Sequence, residues 1–322
     1  MDISSLMTAG YSVYKPPPLD NIDCPDLRSI DDHARHLKRV FNAIAPTPDL
    51  LEENISMQAF TNEWMRIQQW LEMAAGLRFV DIERFEDDGS TWLCGSAVRY
   101  NDAHNNIASD WATEQIRLHY VWSAIERLLK VIRLPSIPRE TAYDRRYIRA
   151  AKYLTQRVPT TQLPVHYNCT LRHLRKHVMQ DSDLTSVRRM FEATPIRSEA
   201  AMLLAAGNAM RNIPAHGDGT VPEPEDWSEE PIEGQDRLAL PYVLHAPRVA
   251  TRGLLLSLQM LVTQIATENS TENWSMPEPG WWIQSDGVWR RDISPSSKQL
   301  LATAHLKPPA SDDEWDEESD YD

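Results

Sequence analysis

Proline punctuation constrains this chain more than any other feature. Long stretches carry apolar residues three and four positions apart, and a proline closes most of them. Ile30, Ala34, Leu37 and Phe41 share one face of such a stretch, and Pro46 and Pro48 end it. The chain has 22 prolines and only 11 glycines. Few glycines leave little material for phosphate-cradling loops or the tight turns of a large sheet. The pattern predicts helices over residues 25–45, 57–75, 110–132, 143–157, 163–179, 184–193, 198–210 and 243–267. Asp110 is the expected N-cap of the third. The aromatic stripe of Phe60, Trp64 and Trp70 reads as core.

Two places depart from that pattern. Residues 77–100 read as two short strands around the Asp-Gly turn at Asp88-Gly89, and 101–109 as a loop. Trp281, Trp282 and Ile283, then Asp286-Gly287, then Val288 and Trp289, read as a second hairpin. The expected fold is therefore mainly α, with small β-hairpin elements before and after a helical bundle. The expected division is an N-terminal segment over 1–104, the bundle over 105–268, a Trp-rich hairpin over 269–310 and a disordered acidic tail over 311–322.

Charge and cysteine content narrow the function. The tail SDDEWDEESDYD holds eight acidic residues and no basic one; removing them from the net charge of −14 leaves −6 for the rest. Neither value is the footprint of a protein that coats nucleic acid, though a small cleft remains compatible. Cys24, Cys94 and Cys169 are isolated, so neither a disulfide framework nor a cysteine-based zinc site is expected. The apolar run 254–265 is broken by Gln259 and Gln264 and is too short to span a bilayer. No signal peptide is read at the start. A cytoplasmic protein with no membrane partner is the expectation.

The segment from Gly207 reads GNAMRNIPAHGDG and contains Arg211-Asn212, then His216-Gly217. A guanidinium presents paired donors that match phosphate oxygens. Asn212 can donate and accept, so it can hold an imidazole or a ribose hydroxyl. His216 ionises near neutrality, as general acid–base work requires. RNA brings its own nucleophile, the 2′-hydroxyl, so Arg and His together supply much of what its cleavage needs. The plainer alternative is that His216 sits near a helix end and merely stabilises its dipole.

The pattern R-N-x-x-A-H-G, with an Ala-rich helix before it and a hydrophobic helix after it, resembles the signature of HEPN ribonuclease domains. The resemblance rests on that short motif and, through its helical context, extends over about 110–268. It implies a HEPN-like bundle, metal-independent endoribonuclease activity without a cofactor, an RNA substrate and a homodimer in which two motifs meet. It also implies a toxin, phage-defence or RNA-processing role, with an antitoxin or another regulator as partner. Pro214 departs from a simple helical motif. It either begins a new turn or distorts a helix that should continue.

Three further readings remain open. Glu126, within Trp122-Ser123-x-x-Glu126-Arg127-x-x-Lys130, is a candidate to bond and orient Arg211, since family members often carry a polar or acidic residue on the facing helix. It can equally form a solvated pair with Lys130. Arg172, Arg175 and Lys176 read as an RNA-binding face or as plain solvated surface. His166, His173 and His177 share a face and hint at a metal, but no H-E-x-x-H motif accompanies them. The rival to the nuclease is a non-catalytic helical interaction protein. The acidic tail is either an RNA mimic competing for a basic cleft or a solubilising extension.

Overall fold

The computed structural model describes residues 26–43, 45–46, 55–82, 95–134, 146–180, 184–193, 199–215, 245–268, 274–275, 281–283, 289–291 and 304–307. Within them the chain is mainly helical: α1 (Ile30–Ala43), α2 (Met57–Gly76), α3 (Gly95–Val131), α4 (Arg146–Arg157), α5 (Tyr167–Gln180), α6 (Thr185–Ala193), α7 (Glu199–Ala215) and α8 (His245–Glu268). Short antiparallel pairings join Ala45–Pro46 to Trp274–Ser275, and Trp281–Ile283 to Trp289–Arg291. No helix among the described residues is long and apolar enough to cross a membrane.

The helix α8 is the axis of the bundle. From Ala246 to Val262 only Arg248 escapes full burial, and α1, α3, α4, α5 and α7 all pack on it. A helix surrounded on nearly every side must be apolar on most of its faces, and the polar side chains that α8 buries include Thr251, Arg252, Ser257 and Gln259. α7 lies against it at unusually short range. An ideal Cβ on Gly207 would fall 2.3 Å from Leu254 Cδ2, and one on Gly253 would fall 2.9 Å from Leu203 Cδ2. Each helix offers a glycine to a leucine of the other, so the backbones close together.

At the other end, α2 packs on both α1 and α3. Ile30, Ala34, Leu37 and Phe41 are all buried, as their spacing predicts. Ser56 caps α2, its side chain accepting from the Ala59 N–H at 3.2 Å. Trp64 stands edge-on to Phe41 at 4.8 Å, and its indole N–H donates to the Phe41 carbonyl at 3.0 Å. Of the aromatic stripe, Phe60 and Trp64 are core, and Trp70 is partly buried against it.

The region read as the first hairpin differs. α3 begins at Gly95, so residues 95–109 are helical and Asp110 lies inside the helix rather than at its cap. The division placed at 104/105 falls within this helix. The face buried there is made of His104, Ile107 and Ala108; a histidine where an aliphatic residue would be expected masks the helical period. Residues 77–82 are extended, but they bond to α3 rather than to a strand. Arg117 Nη2 donates to the Leu77 carbonyl at 2.6 Å, the Val80 N–H to Thr113 Oγ1 at 2.9 Å, and the Ile82 N–H to Ser109 Oγ at 2.9 Å. Side chains four residues apart on one helix face thus stand in for a partner strand. Residues 83–94 lie outside the described residues, as do the Pro-rich entry and the acidic tail.

A buried polar chain ties residues 28–33 and the segment 304–307 to α8. Arg252 is fully buried and donates to the Arg28 carbonyl and to His33 Nδ1, the latter at 2.9 Å. An arginine can only donate, so His33 accepts on Nδ1 and carries its proton on Nε2. That proton goes to Gln259 Oε1 at 3.0 Å, and Gln259 Nε2 in turn faces His305 Nδ1 at 3.0 Å. Around it the Arg28 N–H donates to the His305 carbonyl and the Lys307 N–H to the Asp26 carbonyl, at 2.9 and 2.7 Å. Both imidazoles must be neutral for this chain to hold. Burial, then the Arg252 charge, push both pKa values down, that of His305 to about 4.

Two expectations follow from this packing. Gly207→Ala should lower the unfolding free energy by about 1–3 kcal/mol, because the methyl overpacks against Leu254, despite the better helix propensity of alanine. Urea denaturation reads this, and a midpoint equal to or above wild type would contradict it. The histidines bear on acid stability. Unfolded, each takes a proton near pH 6.5; folded, each resists until lower pH, so their contribution is complete above 6.5 and is lost as pH falls, that of His305 toward 4. For His305 alone the loss is about 3 kcal/mol by pH 4. His305→Asn should flatten the stability profile between pH 6.5 and 4, and an unchanged slope would count against the neutral chain.

Candidate functional site

The α7 helix brings the motif to a cavity. The sequence allowed Pro214 either to begin a new turn or to sit within a continuing helix; the helix runs through it to Ala215. Ile213, which a following proline steers away from helical geometry, is helical and buried. Proline removes the N–H that would bond the carbonyl four residues back, and burial of Ile213 against the core favours the continued helix. Arg211 and Asn212 therefore stand on the final turns of α7. His216 is the next residue after the helix end and lies outside the described residues, as does Gly217.

The cavity has a volume of about 430 Å³ and is walled by three helices. α3 contributes Trp122, Glu126, Arg127 and Lys130; α4 contributes Arg146 and Tyr147; α7 contributes Asn208, Arg211 and Asn212. The α3 residues share a face by helical spacing, and Asn208, Arg211 and Asn212 do the same on α7. Trp122 is almost wholly buried and forms the floor; Tyr147 meets it edge-on at 6.2 Å.

Three contacts orient Arg211. Its Nη2 donates to Glu126 Oε1 at 3.4 Å, its Nη1 donates to Asn212 Oδ1 at 3.0 Å, and its guanidinium carbon lies 5.7 Å from the centre of the Trp122 ring. Both partners of the ion pair are partly exposed, at 29% and 51%. A long, wet pair of this kind contributes little stability and leaves guanidinium donors available. Glu126 and Arg211, widely separated in sequence, are thus brought together. The alternative pairing of Glu126 with Lys130 has a competitor, because Lys130 reaches Glu63.

Glu63, on α2, was not expected. It is buried, yet it bonds Lys130 and Arg127 from the cavity wall and Arg66 from its own helix, the two arginines at 3.2 and 3.1 Å. Burial pushes its carboxyl up, but the Lys130 hydrogen bond and the charges of Arg127, Lys130 and Arg66 outweigh it and hold the pKa below the usual carboxylate value. Its signal was legible: Glu63 is a lone acid on a face otherwise made of Phe60, Trp64, Ile67 and Leu71. Asn208, four residues before Asn212, could have been found by the same helical spacing. Arg146 and Tyr147 carry no such signal.

The other candidate residues lie elsewhere. Arg172, Arg175 and Lys176 are exposed on α5, and none of them lines the cavity. Arg175 lies 5.8 Å from the Phe191 ring centre, and Arg172 touches Cys169 of its own helix at 3.8 Å. Among the described residues, no group of three or more His, Cys, Asp or Glu side chains is placed to hold a metal ion. Comparisons with protein families, with curated proteins and with solved structures find no match for this chain.

The two carboxylates should differ in their effect on stability. Glu63 is itself buried but its three cationic partners are 36–53% exposed, so Glu63→Ala leaves charges that water can screen and should cost about 1–2 kcal/mol. Glu126→Ala removes only an exposed pair and should cost less than about 1 kcal/mol. Equal losses in chemical denaturation would show that Glu126 is structural and that Arg211 is locked rather than available.

Proposed function

We propose that this chain is a metal-independent endoribonuclease of the HEPN type, acting on RNA held at the cavity between α3, α4 and α7. The observation that carries the reading is Arg211 at the wall of a cation-lined cavity, beside Asn212 and five residues before His216. Within this scheme a 2′-hydroxyl attacks the adjacent phosphorus. The bond from 2′-oxygen to phosphorus forms and the bond from phosphorus to 5′-oxygen breaks. His216 takes the 2′-proton or returns one to the leaving oxygen. Arg211 neutralises the charge that builds on the phosphorane oxygens, which gains most in a preorganised site. Asn212 and Glu126 fix the guanidinium plane.

A single motif offers one histidine for two proton transfers. A symmetric homodimer that brings two motifs together would supply both, and the protein is proposed to work so. The helices expected near Asp110 and near Val243 are the candidates for the interface; of these, α8 is buried from Ala246 to Val262 except at Arg248, which favours α3. A cytoplasmic role in defence, as a toxin or in RNA processing, with a regulatory partner, belongs to the same proposal. The competing function, a non-catalytic interaction module, draws on the contact of Arg211 with Glu126: a guanidinium already paired can serve structure alone.

Purified wild-type chain should cut single-stranded RNA in the presence of a chelator. His216→Ala should abolish cutting while the helical circular dichroism spectrum is retained. Arg211→Lys should lower the rate by about a hundredfold or more, since lysine cannot grip two phosphate oxygens. Full cleavage by His216→Ala would end the nuclease reading, and absence of cleavage by pure wild type would favour the interaction module.

A further inference from the structure

The nuclease scheme uses one face of the cavity, around Arg211 and Asn212. The opposite faces carry Arg127, Lys130 and Arg146, which that chemistry does not require. Four cations line the space. Among the described residues, the carboxylates that reach them are Glu126 and Glu63, and Glu63 also serves Arg66. Among the described residues, four cations thus meet two carboxylates, one of them shared with Arg66, which leaves a surplus of two positive charges within one small volume. Arg146 is exposed and makes no ion pair with a described residue. Leaving cations this close together costs energy through mutual repulsion unless an anion joins them.

The anion can be specified further. A phosphodiester within an RNA strand carries one negative charge. A terminal phosphomonoester carries about 1.5 to 2 at pH 7 and presents three acceptor oxygens. Only the second matches a surplus of two charges approached from several helices. The volume is that of a small-molecule pocket, which suits a chain end better than a strand passing through. Asn208, nearly buried on α7 and making no hydrogen bond to a described residue, offers an amide beside it. Tyr147 offers a partly exposed ring.

We infer that this cavity is a receptor for a terminal phosphate, so that the RNA it selects is one whose end carries a phosphomonoester. The phosphate lies among Arg127, Lys130, Arg146 and Arg211. Glu63, reaching in from α2, sets the positions of Arg127 and Lys130, so the helix outside the motif-bearing segment completes the receptor. The inference rests on the cavity being where the proposed ribonuclease holds its substrate, but it concerns binding and not cleavage.

The test uses the full chain carrying His216→Ala, so that bound RNA stays intact. One short single-stranded RNA is prepared with a 5′-phosphate, with a 3′-phosphate, and with hydroxyls at both ends. Affinities are measured by fluorescence anisotropy in matched salt. One phosphorylated form should bind at least tenfold more tightly than the hydroxyl form, and which one does so identifies the end that is read. Inorganic phosphate should compete for that increment, and Arg146→Ala, an exposed change that spares the core, should erase it. Equal affinity of all three RNAs, or an increment untouched by Arg146→Ala, would overturn the receptor. The two proposals fail separately. A terminal-phosphate preference in a chain whose wild type cuts no RNA would leave the receptor and remove the nuclease. Cleavage with no such preference would do the reverse.

Discussion

The close approach of α7 to α8 is the constraint on which the site depends. Gly207 admits Leu254 and Gly253 admits Leu203, so the two helices meet with almost no side-chain layer between them. Such contact fixes the rotation and height of α7 to within a fraction of a side chain, because a packed core has few alternative arrangements. Arg211 is four residues beyond Gly207, about one helical turn. Its position over Trp122 is therefore inherited from the glycine contact. Ile213, buried beyond it, holds the last turn in helical form through Pro214.

Charge arrangement around the cavity follows a division of labour between two carboxylates. Glu63 is buried and gathers three cations, and their attraction exceeds the cost of its burial. It works as an internal brace. Glu126 is half exposed and holds Arg211 at the long end of hydrogen-bond range. A brace that tight would consume the guanidinium; a contact this loose leaves it oriented yet free to bond an incoming anion. α2 thereby takes part in a site whose motif lies on α7.

Much of the helical architecture was legible because burial and helical period coincide. The face of Ile30, Ala34, Leu37 and Phe41, and the glutamine-interrupted run that becomes α8, follow directly from spacing. The start of α3 was not legible, because His104 replaces an aliphatic residue on its buried face. The strand-like segment 77–82 is extended as its composition indicates, but its backbone partners are Ser109, Thr113 and Arg117, which no strand pattern reveals. The same holds for the C-terminal segment 304–307. It folds back beside Asp26–Arg28 and places His305 against Gln259, a long-range contact with no local sequence signature. In the site, Arg211, Asn212 and Glu126 could be chosen from residue chemistry and the family resemblance. Arg146 and Tyr147 could not, since only the packing of α4 on α7 and α3 brings them to the wall. The positions of His216 and the acidic tail fall outside the described residues.

The central claim is that RNA meets this protein at the cavity of Arg211 rather than along the exposed basic face of α5. An experimental structure of the His216→Ala chain bound to a short single-stranded RNA tests it most directly. The account predicts a phosphate within hydrogen-bond distance of the Arg211 guanidinium, inside the space walled by α3, α4 and α7. RNA lying along Arg172, Arg175 and Lys176, with no phosphate at Arg211, would contradict it.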